Sequence, residues 1–66
     1  MKVTLNGQSK EFANSARLNE IVRQFGQNSS RIIAEVNGEI VKPLRWTETE
    51  IKDGDTIELV SFVGGG

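Results

Sequence analysis

Chemical potential in this sequence is concentrated in one run, Ser61-Phe62-Val63-Gly64-Gly65-Gly66. The group of interest is the α-carboxylate of Gly66. Glycine suits a carboxylate that another enzyme must draw through a narrow channel, because side chains would clash with the walls and the backbone must approach a nucleotide closely. Three consecutive glycines have no helix or strand preference and large backbone entropy, so a mobile tail is expected. Fully extended, the six residues from Ser61 reach ~20 Å at ~3.3–3.6 Å each. The competing interpretation is an ordinary frayed or appended end, and tail composition alone favours it.

Side chains elsewhere offer little reactive chemistry. The chain has no Cys and no His. This removes disulfide frameworks, Cys/His zinc sites, Cys nucleophiles, Ser-His-Asp triads and haem ligation. Eight Lys and Arg against nine Asp and Glu leave a net charge of −1, which gives no bulk attraction to nucleic acid or anionic lipid. Apolar runs of two or three residues are too short to span a membrane or form a signal peptide. The lack of Cys is compatible with a cytoplasmic location. At 66 residues the interior is scarce, since domains of ~60 residues bury only ~60% of their unfolded surface. A binding module, carrier or subunit is therefore expected rather than a self-sufficient enzyme with a deep pocket.

The elements that present the tail follow from periodicity. Met1, Val3 and Leu5 alternate with Lys2, Thr4 and Asn6 as a half-buried strand, and Asn6-Gly7 signals a hairpin. The polar return strand, about Gln8 to Phe12, is expected at the sheet edge. Leu18, Ile21, Val22 and Phe25 form the apolar stripe of a short helix, with Asn14 or Ser15 as candidate caps and Gly26 at an expected left-handed C-cap. After the polar connection Gln27–Arg31, residues 32–36 read as a third strand. Asn37-Gly38 turns it into a short strand at Ile40-Val41, ended by Pro43. The connector from Leu44 to Glu50 is expected to hold one helical turn, with Leu44 or Trp46 under the core. Asp53-Gly54-Asp55 is a turn, and Thr56 to Val60 is the last strand, with Ile57 and Leu59 inward.

One sheet covered on one face by one main helix is the economical two-layer arrangement. For the first and last strands to share the middle they must run parallel. The expected fold is thus α+β, a β-grasp (ubiquitin-like) roll with a mixed sheet of four to five strands. Its body is residues 1–60 and its tail residues 61–66. In this phase Ser61 and Val63 continue inward while Val60 and Phe62 face outward. Val60, Phe62 and Val63 are candidate partner contacts, with Phe62 alternatively folding back over the sheet. Trp46 reads as a plug at the core edge, Asp53 and Asp55 as turn formers rather than metal ligands, and Lys2, Lys10 and Lys42 as solvated surface.

Body and tail together resemble the thiamine-biosynthesis sulfur carrier family of ubiquitin-like proteins. The resemblance rests on Val3-Thr4-Leu5-Asn6-Gly7, the helix Leu18 to Phe25, Val36-Asn37-Gly38-Glu39-Ile40-Val41, Asp53-Gly54-Asp55 and Ile57 through Gly66. Phe62-Val63-Gly64-Gly65-Gly66 after Ile57-Glu58-Leu59-Val60 is its most specific part. Arg17 departs from the pattern, standing where relatives commonly carry a capping Thr or Ser.

The resemblance implies that the Gly66 carboxylate is adenylated with ATP by an enzyme of the ubiquitin-activating type. A cysteine desulfurase or similar donor then supplies sulfur, and thiazole synthase consumes the resulting thiocarboxylate. Gly64 and Gly65 would be the leader through the partner's channel. The chain would have no catalytic residues, bound cofactor or metal of its own, since the partner supplies ATP, magnesium and orientation. The small subunit of a molybdopterin-type synthase, a ubiquitin-like modifier joined to lysines, and an interaction module with incidental glycines remain as alternatives.

Overall fold

The computed structural model describes residues 1–13, 15–26 and 31–61. Strands β1 (Lys2–Leu5) and β2 (Gln8–Glu11) form the first hairpin. A two-residue strand, β3 (Ala16–Arg17), leads into helix α1 (Leu18–Phe25). Strands β4 (Ile32–Val36) and β5 (Glu39–Val41), a 3₁₀ turn at Pro43–Arg45, and strands β6 (Glu50–Ile51) and β7 (Thr56–Ser61) follow. The main sheet has the order β2-β1-β7-β4-β5. Its one parallel contact joins β1 to β7 at Thr4↔Thr56 and Leu5↔Ile57. This is the β-grasp expected from the element order, with β7 in the centre and β2 at an edge.

Both Asn-Gly turns adopt the conformation their residues permit. Asn6 and Asn37 have φ of 48° and 52°, and Gly7 and Gly38 have 82° and 86°. Positive φ at both central positions matches the right-handed twist of the flanking strands. Val3, Leu5, Ile32, Ala34 and Ile57 project to one face, where Leu18, Ile21 and Val22 of α1 cover them. Burying each large member of this set contributes roughly 1.5–3 kcal/mol. At the periphery Phe12 and Phe25 meet edge to face, with centroids 5.7 Å apart.

Several local expectations are corrected. The N-cap is Arg17, not Ser15, and Asn14 lies outside the described residues. No capping hydroxyl is needed, because main-chain carbonyls of the connector satisfy the first amides of the helix. Leu18 N–H donates to Thr49 O at 2.9 Å, and Asn19 N–H to Trp46 O at 3.2 Å. The Glu20 carboxylate accepts from Arg17 N–H at 2.8 Å, and Arg17 Nη1 donates to Thr47 O at 2.9 Å. The same connector supplies a second small sheet, β3 with β6, and a buried core residue, Ile51. Two-residue strands carry no periodicity, so neither was visible in the sequence.

Gly26 is not left-handed; its φ and ψ are −86° and 112°. It is small because α1 and β4 crowd it. A Cβ there would collide with Ile32 Cδ1 and lie 2.6 Å from the Val22 carbonyl oxygen. Gly26→Ala is therefore expected to destabilise the fold by about 1–3 kcal/mol through overpacking, despite an accessible φ. Chemical denaturation with a midpoint equal to wild type would contradict this.

Of the two candidates in the connector, Trp46 is the plug. Its ring packs on the core, and Nε1–H donates to Val41 O at 2.8 Å. Leu44, in the 3₁₀ turn, is 88% exposed, because the following Trp46 already fills the inward position. Lys2 and Lys42 are exposed, but Lys10 is half-buried, with Nζ 5.5 Å from the Phe25 ring centroid.

Candidate functional site

The site begins with β7, the strand that leads toward Gly66. Antiparallel pairing with β4 runs from Val36↔Ile57 through Ile33↔Val60 to Ile32↔Ser61. Ile57 is fully buried beneath α1 and Leu59 is half-buried behind it. On the other edge, pairing with β1 stops early. Asn6 N–H donates to Ile57 O at 2.9 Å, and then Asn6 Oδ1 accepts from Leu59 N–H at 2.8 Å. The strand is thus held on both edges as far as Leu59, and at Val60 and Ser61 by β4.

The start of β7 is fixed by a polar cluster. Asp53 Oδ1 accepts from Lys2 N–H at 2.7 Å, and Asp55 Oδ2 from Lys52 N–H at 2.8 Å. Asn37 Oδ1 accepts from Thr56 N–H at 2.9 Å, while its Nδ2 donates to Asp55 Oδ1 at 3.0 Å. Asp55 accepts from Lys52 within its own turn, as a turn former does, while Asp53 accepts across the fold from Lys2 at the start of β1. Among the described residues no group of three or more His, Cys, Asp or Glu is placed to hold a metal ion.

Val60 projects from the sheet face opposite α1 and is 47% exposed. Ile33 stands directly across from it on β4, and Ile40 of β5, 66% exposed, shares that face. Glu35 and Glu58, themselves cross-strand partners, lie alongside. Val60 therefore belongs to an apolar patch at the base of the tail, as its outward phase in the sequence implied. The other expected site residues, Phe62, Val63, Gly64, Gly65 and Gly66, lie outside the described residues. A depression of about 410 Å³ at the β5 edge is lined by Ile40, Val41, Lys42, Arg45 and Thr49. There Thr49 Oγ1 donates to Arg45 O, and Arg45 Nε lies 3.5 Å from Glu48 Oε1. No nucleophile and base are paired there.

The family model that matches this chain is that of the ThiS family, over residues 3–66. The chain belongs to the ThiS family. It is 33% identical over 63 residues to the sulfur carrier protein ThiS of Bacillus subtilis, a match covering 94% of this chain and 96% of that protein. A crystal structure of the thiamine biosynthesis protein ThiS from Geobacter metallireducens superposes with a TM-score of 0.87 at 30% identity, covering all of both chains. A thiazole synthase of Paramagnetospirillum magneticum is 33% identical over 66 residues, and the chain spans only 20% of its length. The ThiS match thus takes in the glycine run as well as the β-grasp body. In the sequence Asn6 is a turn former only; its second bond, to Leu59, joins residues 53 positions apart and leaves no local signal.

Proposed function

We propose that this chain is a sulfur carrier of thiamine biosynthesis, loaded at the terminal carbonyl of Gly66. The observation that carries this reading is a ThiS-family match reaching from residue 3 to residue 66, body and tail together. A carboxylate is a poor electrophile. Attack of the Gly66 carboxylate on the α-phosphorus of ATP expels pyrophosphate and gives an acyl adenylate. A persulfide sulfur then attacks the carbonyl carbon and AMP leaves. Cleavage of the S–S bond by a thiol leaves the thiocarboxylate. An enzyme of the ubiquitin-activating type supplies ATP, magnesium and orientation, and a cysteine desulfurase or similar enzyme supplies sulfur. The chain acts as a protein co-substrate in the cytoplasm, with no cofactor or catalytic side chain of its own.

In this scheme Gly64 and Gly65 pass through the partner's channel, while Val60, Phe62 and Val63 contact its mouth. The apolar patch of Val60, Ile33 and Ile40 supports such a contact, since exposed apolar surface at the base of a substrate segment marks a docking face. Thiazole synthase is the acceptor in this reading. Support comes from the relative named thiazole synthase, which carries a segment similar to the whole chain.

Incubation with an adenylating enzyme of the ubiquitin-activating type, ATP, magnesium and a persulfide donor is expected to add the mass of one oxygen-to-sulfur exchange. The gain should map to the C-terminal peptide. A gain on any internal peptide, or none at all, would overturn the assignment.

A further inference from the structure

Both hairpin asparagines reach beyond their own turns to hold β7, and they do so at different places. Asn37 holds its first residue, Thr56. Asn6 holds Leu59, beyond the last register pair that β1 makes with β7, Leu5↔Ile57. From there the sheet narrows. Strand β5 covers β4 only at Ala34, Glu35 and Val36. Ile32 and Ile33 with Val60 and Ser61 therefore form a two-stranded ribbon. Such ribbons twist more than flanked strands and fix direction less well. Among the described residues, the Asn6 amide is the last group to hold the β1-side edge of β7 before the tail.

We propose that Asn6 is a positioning residue for the loading of Gly66, acting through Leu59 to fix the origin and direction of the tail. This rests on the sulfur-carrier reading. Once the body has docked, bringing Gly66 to the reacting centre is an intramolecular search. Its success depends on how narrowly the emerging segment is aimed. Releasing Leu59 moves the effective hinge back toward Ile57 and widens that search. Docking itself is untouched, so the effect falls on kcat and not on KM.

Three variants separate positioning from stability. Asn6→Gly keeps the turn, because glycine accepts the φ of 48°, and removes only the acceptor. Asn6→Asp retains an acceptor oxygen and tolerates the same φ. Asn37→Gly removes the corresponding bonds at the far end of β7. With an adenylating enzyme of the ubiquitin-activating type from the same organism, ATP, magnesium and a persulfide donor, loading is followed by intact mass. Amide hydrogen exchange is followed in parallel.

For Asn6→Gly, Leu59 exchange is expected to rise about fivefold to tenfold, the equivalent of one ordinary hydrogen bond. The kcat should fall by a similar factor, about fivefold to tenfold, with KM held within about twofold. Asn6→Asp should restore both, and Asn37→Gly should speed exchange at Thr56 while leaving kcat at the wild-type value. Wild-type kcat in Asn6→Gly, no recovery in Asn6→Asp, or an equal loss in Asn37→Gly would each overturn the proposal while wild type still loads. A wild-type chain that takes up no sulfur would instead remove the sulfur-carrier reading, and this inference with it.

Discussion

Deleting Gly66 leaves a chain that folds like the wild type and takes up sulfur at least about a hundredfold more slowly. The truncated chain still ends in a glycine carboxylate, so its intrinsic reactivity is unchanged. What changes is reach, by one extended residue or ~3.3–3.6 Å. With the body docked and β7 held centrally in the sheet, that shortfall is not recovered by sliding. Misplacement of a reacting group by ~1 Å already costs about 10²-fold. The fold is insulated from the change because a glycine has no side chain to bury, and among the described residues the buried core runs from Val3 to Ile57. Far-ultraviolet dichroism and the denaturation midpoint should match wild type, while intact mass after incubation with the loading enzymes stays unshifted. A truncated chain that gains sulfur at the wild-type rate would show that reach to Gly66 is not what the partner reads.

The second large effect is on stability. Ile57→Ala is expected to cost about 2–5 kcal/mol, from lost transfer energy and the cavity left behind. A chain of 66 residues has only about 3–10 kcal/mol in total at the usual 0.05–0.15 kcal/mol per residue. Ile57 is 0% exposed and lies opposite Leu5 on β1 and Val36 on β4, so neighbours on both sides lose contact at once. Ile57→Val, which removes one methylene, should cost only about 0.5–1.5 kcal/mol. Urea unfolding followed through Trp46, the sole tryptophan, provides the measurement. An alanine variant within about 1 kcal/mol of wild type would mean that the sheet centre can collapse around the gap.

What the sequence revealed and what it hid differ by range. Alternation at Met1–Asn6 and Ile32–Val36, the Leu18-Ile21-Val22-Phe25 stripe and two Asn-Gly turns are local signals, and each placed its element within a residue or so. The parallel pairing of β1 with β7 followed from topology rather than from any residue. By contrast, the β3–β6 sheet, the buried Ile51 and the capping of α1 by the carbonyls of Trp46 and Thr49 depend on a connector folding back over the helix start. Arg17 looked anomalous as a cap because the partner groups that make a hydroxyl unnecessary lie about thirty residues away. Of the candidate site, Val60 was legible through its phase. The hold of Asn6 on Leu59 was not, because an asparagine in a tight turn already has a sufficient local explanation.

The place of β7 has a consequence for biosynthesis. Among the described residues it is the last strand in chain order yet fills the middle of the sheet, so the two hairpins on either side cannot join until it has been made. A nascent polypeptide halted before Thr56 holds two unclosed ribbons and an uncovered helix stripe, and contacts this distant in sequence also slow assembly. Aborted translation products therefore lack the finished scaffold.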